Sequence, residues 1–181
     1  MLARAFRDNP LNVAVIGDSP ARRLRCNHAG ISALIASTRR HGLLFFAEVE
    51  TELLGALAAV PPFANPLPAP APSVLLRTLL SQGFRVASRW GTIARRLQIL
   101  HPQQPHWYVA SLGVEPAAQG QGLGAALLTR LLERADREGF PTYLETDRMR
   151  NVGFYEARGF RVEEQIALLG VPVWRMWRAP S

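Results

Sequence analysis

The sequence predicts an α/β or α+β fold, on three observations. From residue 106 onward, apolar and polar positions follow strand and helix periods in the order strand, helix, strand, helix, strand, strand. "LLFFAEV" and "LLGALAAV", joined by "ETE", read as an antiparallel hairpin. Between a strand and a leucine-striped helix, "SLGVEPAAQGQGLGAALLTRLL" (111–132) places glycines at Gly120, Gly122 and Gly124. Glycine costs about 1 kcal/mol relative to alanine in a helix, so three of them imply a close approach to that backbone.

The elements follow in order. Residues 1–42 read as helix and loop. Asn27 is placed to cap a helix carrying Ile31, Leu34 and Ile35, and Gly42 to end it. The hairpin comes next, then "PPFANPLPAPAPS", too rich in proline for helix or central strand and read as a stiff connector. Ser73 is placed to cap a helical region interrupted near Gly83 and running towards Leu100, closed by "HPQQP". "HWYVASLGV" reads as a buried strand, and a helix runs from about Gly122 to Glu138 with Leu123, Leu127, Leu128, Leu131, Leu132 and Ala135 on one stripe. Gly139 stops it. "PTYLET" is a strand, "RNVGFYEAR" a short helix ending at Gly159, and "FRVEEQIAL" and "VPVWRMWR" are strands around a turn at Gly170. Trp174 and Trp177, three apart, face opposite sides of the last strand.

Composition narrows the function classes. A chain of 181 residues suits one domain, and 48% hydrophobic with 19% charged residues excludes a disordered chain. The net charge of +7 rests on arginine alone, for there is no lysine, and the arginines are scattered. This argues against nucleic acid as a partner and for attraction of an anionic cofactor. The single cysteine, Cys26, excludes an internal disulfide and a thiolate metal cluster, and no metal site is expected. Glu48, Glu50 and Glu52 interrupt the longest apolar stretch, and "MLARAFRDNP" lacks a signal-peptide core. A cytoplasmic location without a membrane partner is therefore expected.

A strand feeding a glycine-rich turn into a helix presents free backbone N–H groups at the positive end of the helix dipole, a receptor for phosphate. A P-loop is excluded because it needs a lysine. Gly120, Gly122 and Ala125 satisfy the G-x-G-x-x-A dinucleotide pattern, but "EPAAQ" spoils its tight strand-to-helix turn. Gln119, Gly122 and Gly124, in "QGQGLG", fit a third pattern, Q/R-x-x-G-x-G/A.

That pattern, the flanking strand and helix, and "YLETDRMRNVGFYEARGFRV" downstream resemble the acyl-CoA site of the GNAT superfamily of N-acetyltransferases, most closely its puromycin N-acetyltransferase-like branch. The resemblance implies a mixed, mostly antiparallel central sheet flanked by helices. The family's first strand would be missing, or rebuilt by "LNVAVIG". It implies one domain over 1–181, with 1–105 a variable acceptor side and 106–178 the acyl-CoA-binding core. It implies acetyl-CoA as cosubstrate, its pantetheine arm along Leu112, Gly113 and Val114. Its pyrophosphate would lie on the backbone of Gln119, Gly120, Gln121, Gly122, Leu123, Gly124 and Ala125, with Asn151 also on the cofactor.

The activity implied is direct transfer of acetyl to a primary amine of a small molecule, an antibiotic among the candidates. Tyr155 occupies the family position that protonates the departing CoA thiolate. An amine must lose a proton before it attacks, and Glu115, Glu145, His101 and His106 are candidates to receive it, Glu145 the preferred one. Cys26 is unnecessary as a nucleophile in direct transfer. Transfer to a protein or peptide, and a nonenzymatic acyl-CoA-binding module, stand as alternatives. A homodimer is left open.

Overall fold

In the computed structural model, which describes residues 1–64 and 71–181, six strands form one sheet. They are β1 (Leu43–Val49), β2 (Glu52–Val60), β3 (Trp107–Val114), β4 (Thr142–Thr146), β5 (Arg161–Leu168) and β6 (Val171–Arg178), in the spatial order β1-β2-β3-β4-β6-β5. Part of the proline-rich connector lies outside the described residues. Every neighbouring pair is antiparallel except β3 and β4. That parallel pair makes a ladder only at Trp107↔Thr142 and Tyr108↔Tyr143, although both strands run on. The sheet is open beyond Tyr143.

The crossover between them is α6 (Leu123–Glu138). Its stripe Leu127, Leu128, Leu131, Leu132 and Ala135 is buried against Leu57, Trp107, Val109, Leu144 and Met176. Complete burial of each leucine contributes about 1.5–3 kcal/mol. The other face of the sheet is covered by α2 (Pro10–Ile16), α3 (Pro20–His41) and α5 (Phe84–Leu100), whose Val15, Ile16, Cys26, Val86 and Ile93 pack with Leu168 and Val173 of the sheet. Trp174 packs with the α6 side, while Trp177 lies near His106 and Tyr143 at 5.4 and 6.3 Å, as period-two alternation requires.

Three local readings are corrected. "LNVAVIG" is not a strand but α2, and no strand precedes β1 among the described residues. Pro10 opens that helix, the Asp147 carboxylate accepts the Leu11 N–H (2.8 Å), and Arg89 donates to the carbonyls of Ala14 and Val15 (3.0 and 3.1 Å). Both ends are thus satisfied by residues remote in sequence, which overrides the β propensity of Val13, Val15 and Ile16. Asn27 caps nothing. The helix starts earlier, where Ser19 Oγ accepts from Arg22 N–H (3.3 Å), and Asn27 is buried with Nδ2 towards Ala3 O (3.4 Å). Ser73 lies in the first turn of α4 (Pro72–Gln82), one residue past Pro72, and Ala71 stands at the cap.

Gly42 joins α3 to β1 at a contact that only glycine tolerates. A Cβ there would stand 2.3 Å from the carbonyl oxygen of Ala59 on β2. Backbone cannot swing aside as a side chain can, so Gly42→Ala is expected to destabilise by about 1–3 kcal/mol, read as a lower Tm. An unchanged melt would mean the hairpin shifts freely at that point.

Candidate functional site

At the open end of the β3–β4 junction lies a cleft of about 370 Å³. Eleven of the thirteen residues selected from sequence line it: Leu112, Gly113, Val114, Gln119, Gly120, Gly122, Leu123, Gly124, Ala125, Asn151 and Tyr155. Gln121 and Glu145 do not.

The α6 N terminus forms one wall. Gly122 is its cap residue in the left-handed region (φ 83°), and no side chain caps the helix. The first helical bond at this end runs from Ala126 N–H to Gly122 O (2.9 Å), so the amides of Leu123, Gly124 and Ala125 have no intrahelical acceptor. The glycines divide by cause. Gly120 and Gly122 both have φ of 83°, so backbone conformation alone calls for glycine at each. Gly124 has no such φ, and a Cβ there would make an ordinary 3.5 Å contact with Val114 Cγ2. Conformation does not require glycine at Gly124, which lines the cleft.

Strand β3 forms the second wall. The helical turn α1 (Leu2–Ala5) presses on it, with Leu2 Cδ2 2.6 Å from where a Gly113 Cβ would stand. Arg4 grips Glu115 through Nε to Oε1 and Nη2 to Oε2, both 2.9 Å. Glu115, weighed as a base, is engaged in this exposed ion pair. The Val114 carbonyl, expected to hold the pantetheine arm, accepts Gln119 Nε2 (3.1 Å), which occupies one of its two lone pairs.

The third wall is α7 (Met149–Glu156) and its flanks. Asn151 does not cap this helix. Its Nδ2 donates to Thr146 Oγ1 (3.2 Å), tying α7 to the end of β4. Tyr155 is buried, its ring 5.1 Å from Phe154 and 5.7 Å from Phe160, and among the described residues its hydroxyl makes no hydrogen bond within the chain. Burial pushes this phenol well above its usual range against the opposing effect of Arg158, so it stays protonated at neutral pH.

Sequence reasoning missed several cleft residues: Ala5, Phe6 and Asn9 from the N terminus, and Arg148, Arg150 and Arg158 around α7. Among the described residues these three arginines have no carboxylate within salt-bridge distance. Arg158 lies over the Phe154 ring at 3.9 Å. Burial, then the like charge of Arg150, holds Arg148 below its usual pKa. Their placement around Asn151 and Tyr155 in "DRMRNVGFYEAR" was the available signal, hidden by an arginine count high throughout the chain.

Glu145 lies on the opposite face of the sheet, cross-strand from Arg175 and beside Tyr108 and Tyr143. Leu144 before it faces α6, so alternation turns Glu145 away from the glycine turn. Burial raises its pKa, outweighing the tyrosine hydroxyls and Arg175, and Oε1 is buried with no hydrogen-bond partner among the described residues. Arg175 Nε donates to the Tyr143 hydroxyl (3.0 Å), and its far end meets Glu164 and the carbonyl of Leu100.

His101 and His106 complete this face, with Nε2 atoms 3.1 Å apart. His106 Nδ1 is 2.7 Å from the Gln104 carbonyl, which can only accept, so Nδ1 holds the proton and neutral His106 presents Nε2 as acceptor to His101 Nε2–H. Burial, then His106 and Arg175, lowers the His101 pKa from 6.5 to about 4. The unfolded chain therefore binds a proton here that the folded one refuses. The stabilisation is complete above pH 6.5 and is lost as pH falls towards about 4. Denaturant titrations from pH 7 to pH 4 are expected to show this loss, and His101→Gln to flatten it. An equal slope in both proteins would remove His101 as the cause.

A family model described as acetyltransferase (GNAT) family matches residues 17–160. The chain belongs to the GNAT acetyltransferase family. Among curated GNAT relatives, a mycothiol acetyltransferase of Streptomyces avermitilis is 40% identical over 86 residues, which is 45% of this chain and 28% of that protein. The chain thus matches under a third of that relative's length. Among solved structures, a Corynebacterium glutamicum protein described as histone acetyltransferase HPA2 and related acetyltransferase superposes with a TM-score of 0.68 at 24% identity, covering 99% of this chain and 87% of that one. Arylalkylamine N-acetyltransferase 2 of Aedes aegypti gives 0.60 at 14% identity, covering 99% and 93%. Both share the fold. The six-stranded, mostly antiparallel sheet flanked by helices is the fold that the resemblance implied.

Proposed function

We propose that this chain is an acetyl-CoA-dependent N-acetyltransferase acting on a primary amine of a small molecule. The observation that carries the reading is the cleft itself, where free amides at the α6 N terminus face Arg148, Arg150 and Arg158 without carboxylate partners. So much unbalanced positive potential suits a ligand bearing several phosphate charges, as CoA does with its pyrophosphate and ribose phosphate. Leu112 to Val114 would hold the pantetheine arm, and the amides of Gly122 to Ala125 the pyrophosphate.

The reaction joins the two faces of the sheet through its opening. The amine, approaching from the Glu145 side as an ammonium, gives one proton to that carboxylate and attacks the thioester carbonyl. As the C–S bond breaks, the surplus proton on the new amide nitrogen neutralises the departing thiolate, to which the Tyr155 hydroxyl donates a hydrogen bond. A small acceptor is favoured because α1 packs across β3 and Asn9 reaches Asp147 (3.3 Å), which narrows the approach to the sheet opening. An aminonucleoside antibiotic such as puromycin is the first acceptor to try, from the resemblance of 106–178 to that branch.

Titration calorimetry with acetyl-CoA, CoA and NADH tests the reading. Binding of the first two without NADH is expected, and no binding by folded protein would sink it. Arg150→Gln is expected to weaken acetyl-CoA roughly tenfold or more, a lost charge-assisted hydrogen bond being worth about 1.5–3 kcal/mol. An amine and peptide panel followed by thiol release then identifies the acceptor class.

A further inference from the structure

Helix α4 exposes an apolar ridge that the proposed acetyl transfer does not use. Val74, Thr78 and Gln82 turn inward, and Gln82 is buried with its Nε2 donating to the Cys26 carbonyl of α3 (2.8 Å). At 100° per residue, Leu75, Leu76, Leu79 and Leu80 then fall together on a different side of the helix. Leu76 is 58% exposed, Leu80 77%, and Phe84 beyond Gly83 80%. With Leu75 at 47% and Leu79 at 37%, four leucines on one short helix are exposed together, which amounts to a patch and not to the scattered exposure of ordinary surfaces.

The charges around the ridge are of one sign. From Leu53 to Val114 the chain contains no aspartate or glutamate, whereas Arg77, Arg85, Arg89, Arg95 and Arg96 all belong to α4 and α5. Arg89 is spent on the carbonyls of α2. The other four are exposed, and among the described residues none has a salt-bridge partner. A second copy docked ridge to ridge would bring Arg77 and Arg85 against their own equivalents, a like-charge arrangement that disfavours self-association. A single helix ridge is also convex and offers no hollow for a partner's side chain. A fluid interface accepts a ridge of any shape.

We propose that the α4 ridge docks this protein on an anionic lipid bilayer, with Leu75, Leu76, Leu79, Leu80 and Phe84 entering the headgroup boundary and Arg77 and Arg85 meeting lipid phosphates and carboxylates. This is attachment in the plane of the surface, not a span. Among the described residues no helix is long and apolar enough to cross a membrane. It revises the expectation, drawn from the lack of a spanning segment, that no membrane is a partner. Leucines on one face and arginine beside them are the pattern by which interfacial helices hold, by apolar burial plus attraction to anionic headgroups. The ridge also has a mechanical link to the site. Phe84 opens α5, and the Leu100 carbonyl at the other end of that helix is bonded to Arg175 beside Glu145.

The test is flotation of the full chain with vesicles of phosphatidylcholine alone and of phosphatidylcholine with about a third phosphatidylserine. Binding is expected on the anionic vesicles, weaker on the neutral ones, and reduced as salt rises from about 0.1 to 0.5 M. Leu76→Ser with Leu80→Ser, at positions exposed enough to leave the fold and the Tm intact, is expected to lower vesicle affinity about tenfold or more. Retention of acetyl-CoA binding by that variant separates this inference from the catalytic one. Folded protein that ignores anionic vesicles, or binds them as well after the leucine changes, overturns the proposal. A dimer in sedimentation that the same changes abolish would also overturn it, and would assign the ridge to a second copy.

Discussion

Replacing Tyr155 with phenylalanine is expected to lower kcat about tenfold to a hundredfold and to leave both Tm and acetyl-CoA affinity unchanged. The ring packs against Phe154 and Phe160, and phenylalanine keeps those contacts. Tyr155 lines the cleft, and only its hydroxyl, which has no hydrogen-bond partner among the described residues, is lost. The magnitude follows from acidities. Burial holds this phenol above its usual 10, while a thiol titrates near 8.5. Complete proton transfer to the thiolate is thus unfavourable, and the hydroxyl acts chiefly as a hydrogen-bond donor to charge that develops as the C–S bond breaks. A hydrogen bond to a charged group contributes about 1.5–3 kcal/mol, hence the tenfold to hundredfold range. An unchanged kcat would reduce Tyr155 to a packing residue, and the thiolate would then leave through water.

Replacing Glu145 with glutamine is expected to separate activity from stability. As the base, Glu145 must be ionised, so kcat/KM of the natural protein falls as pH drops through a pKa held above the usual 4.5 by burial. Glutamine removes that limb of the profile and about 10²-fold or more of the rate. Stability moves the other way. A carboxyl with a raised folded pKa binds its proton more tightly folded than unfolded, so its contribution is complete below pH 4.5 and is lost as pH rises through the folded pKa. The neutral amide has no such loss. The variant should therefore be slower yet at least as stable at pH 7. A variant with full activity would transfer the base role to His101, His106 or water.

The two faces of this site were unequally legible. The glycine turn, Asn151 and Tyr155 were visible because they belong to local motifs. The assignment of Glu145 to the sheet opening was only half visible. Its strand was clear from "PTYLET", but the face it points to depends on the register of β4 with β6, which brings Arg175 opposite, and on Tyr108 from β3. Arg148, Arg150 and Arg158 were missed for a related reason. An arginine with no carboxylate partner cannot be told from a paired one until the packing is known.

By itself the sequence determined the elements from residue 106 to 178, since each carries its own periodicity and its own stop at Gly139, Gly159 or Gly170. It also determined that a glycine-rich turn and a helix N terminus follow β3. Tertiary structure decided the rest. Asp147 and Arg89 hold "LNVAVIG" as a helix, and Ser19 starts α3 well before Asn27. The break of the β3–β4 ladder after Tyr143 opens the sheet between the two halves of the site. The physical reason is range. Turns, stripes and caps are settled by residues a few positions apart, whereas buried charge, strand register and the exposure of a leucine face are settled by partners far along the chain.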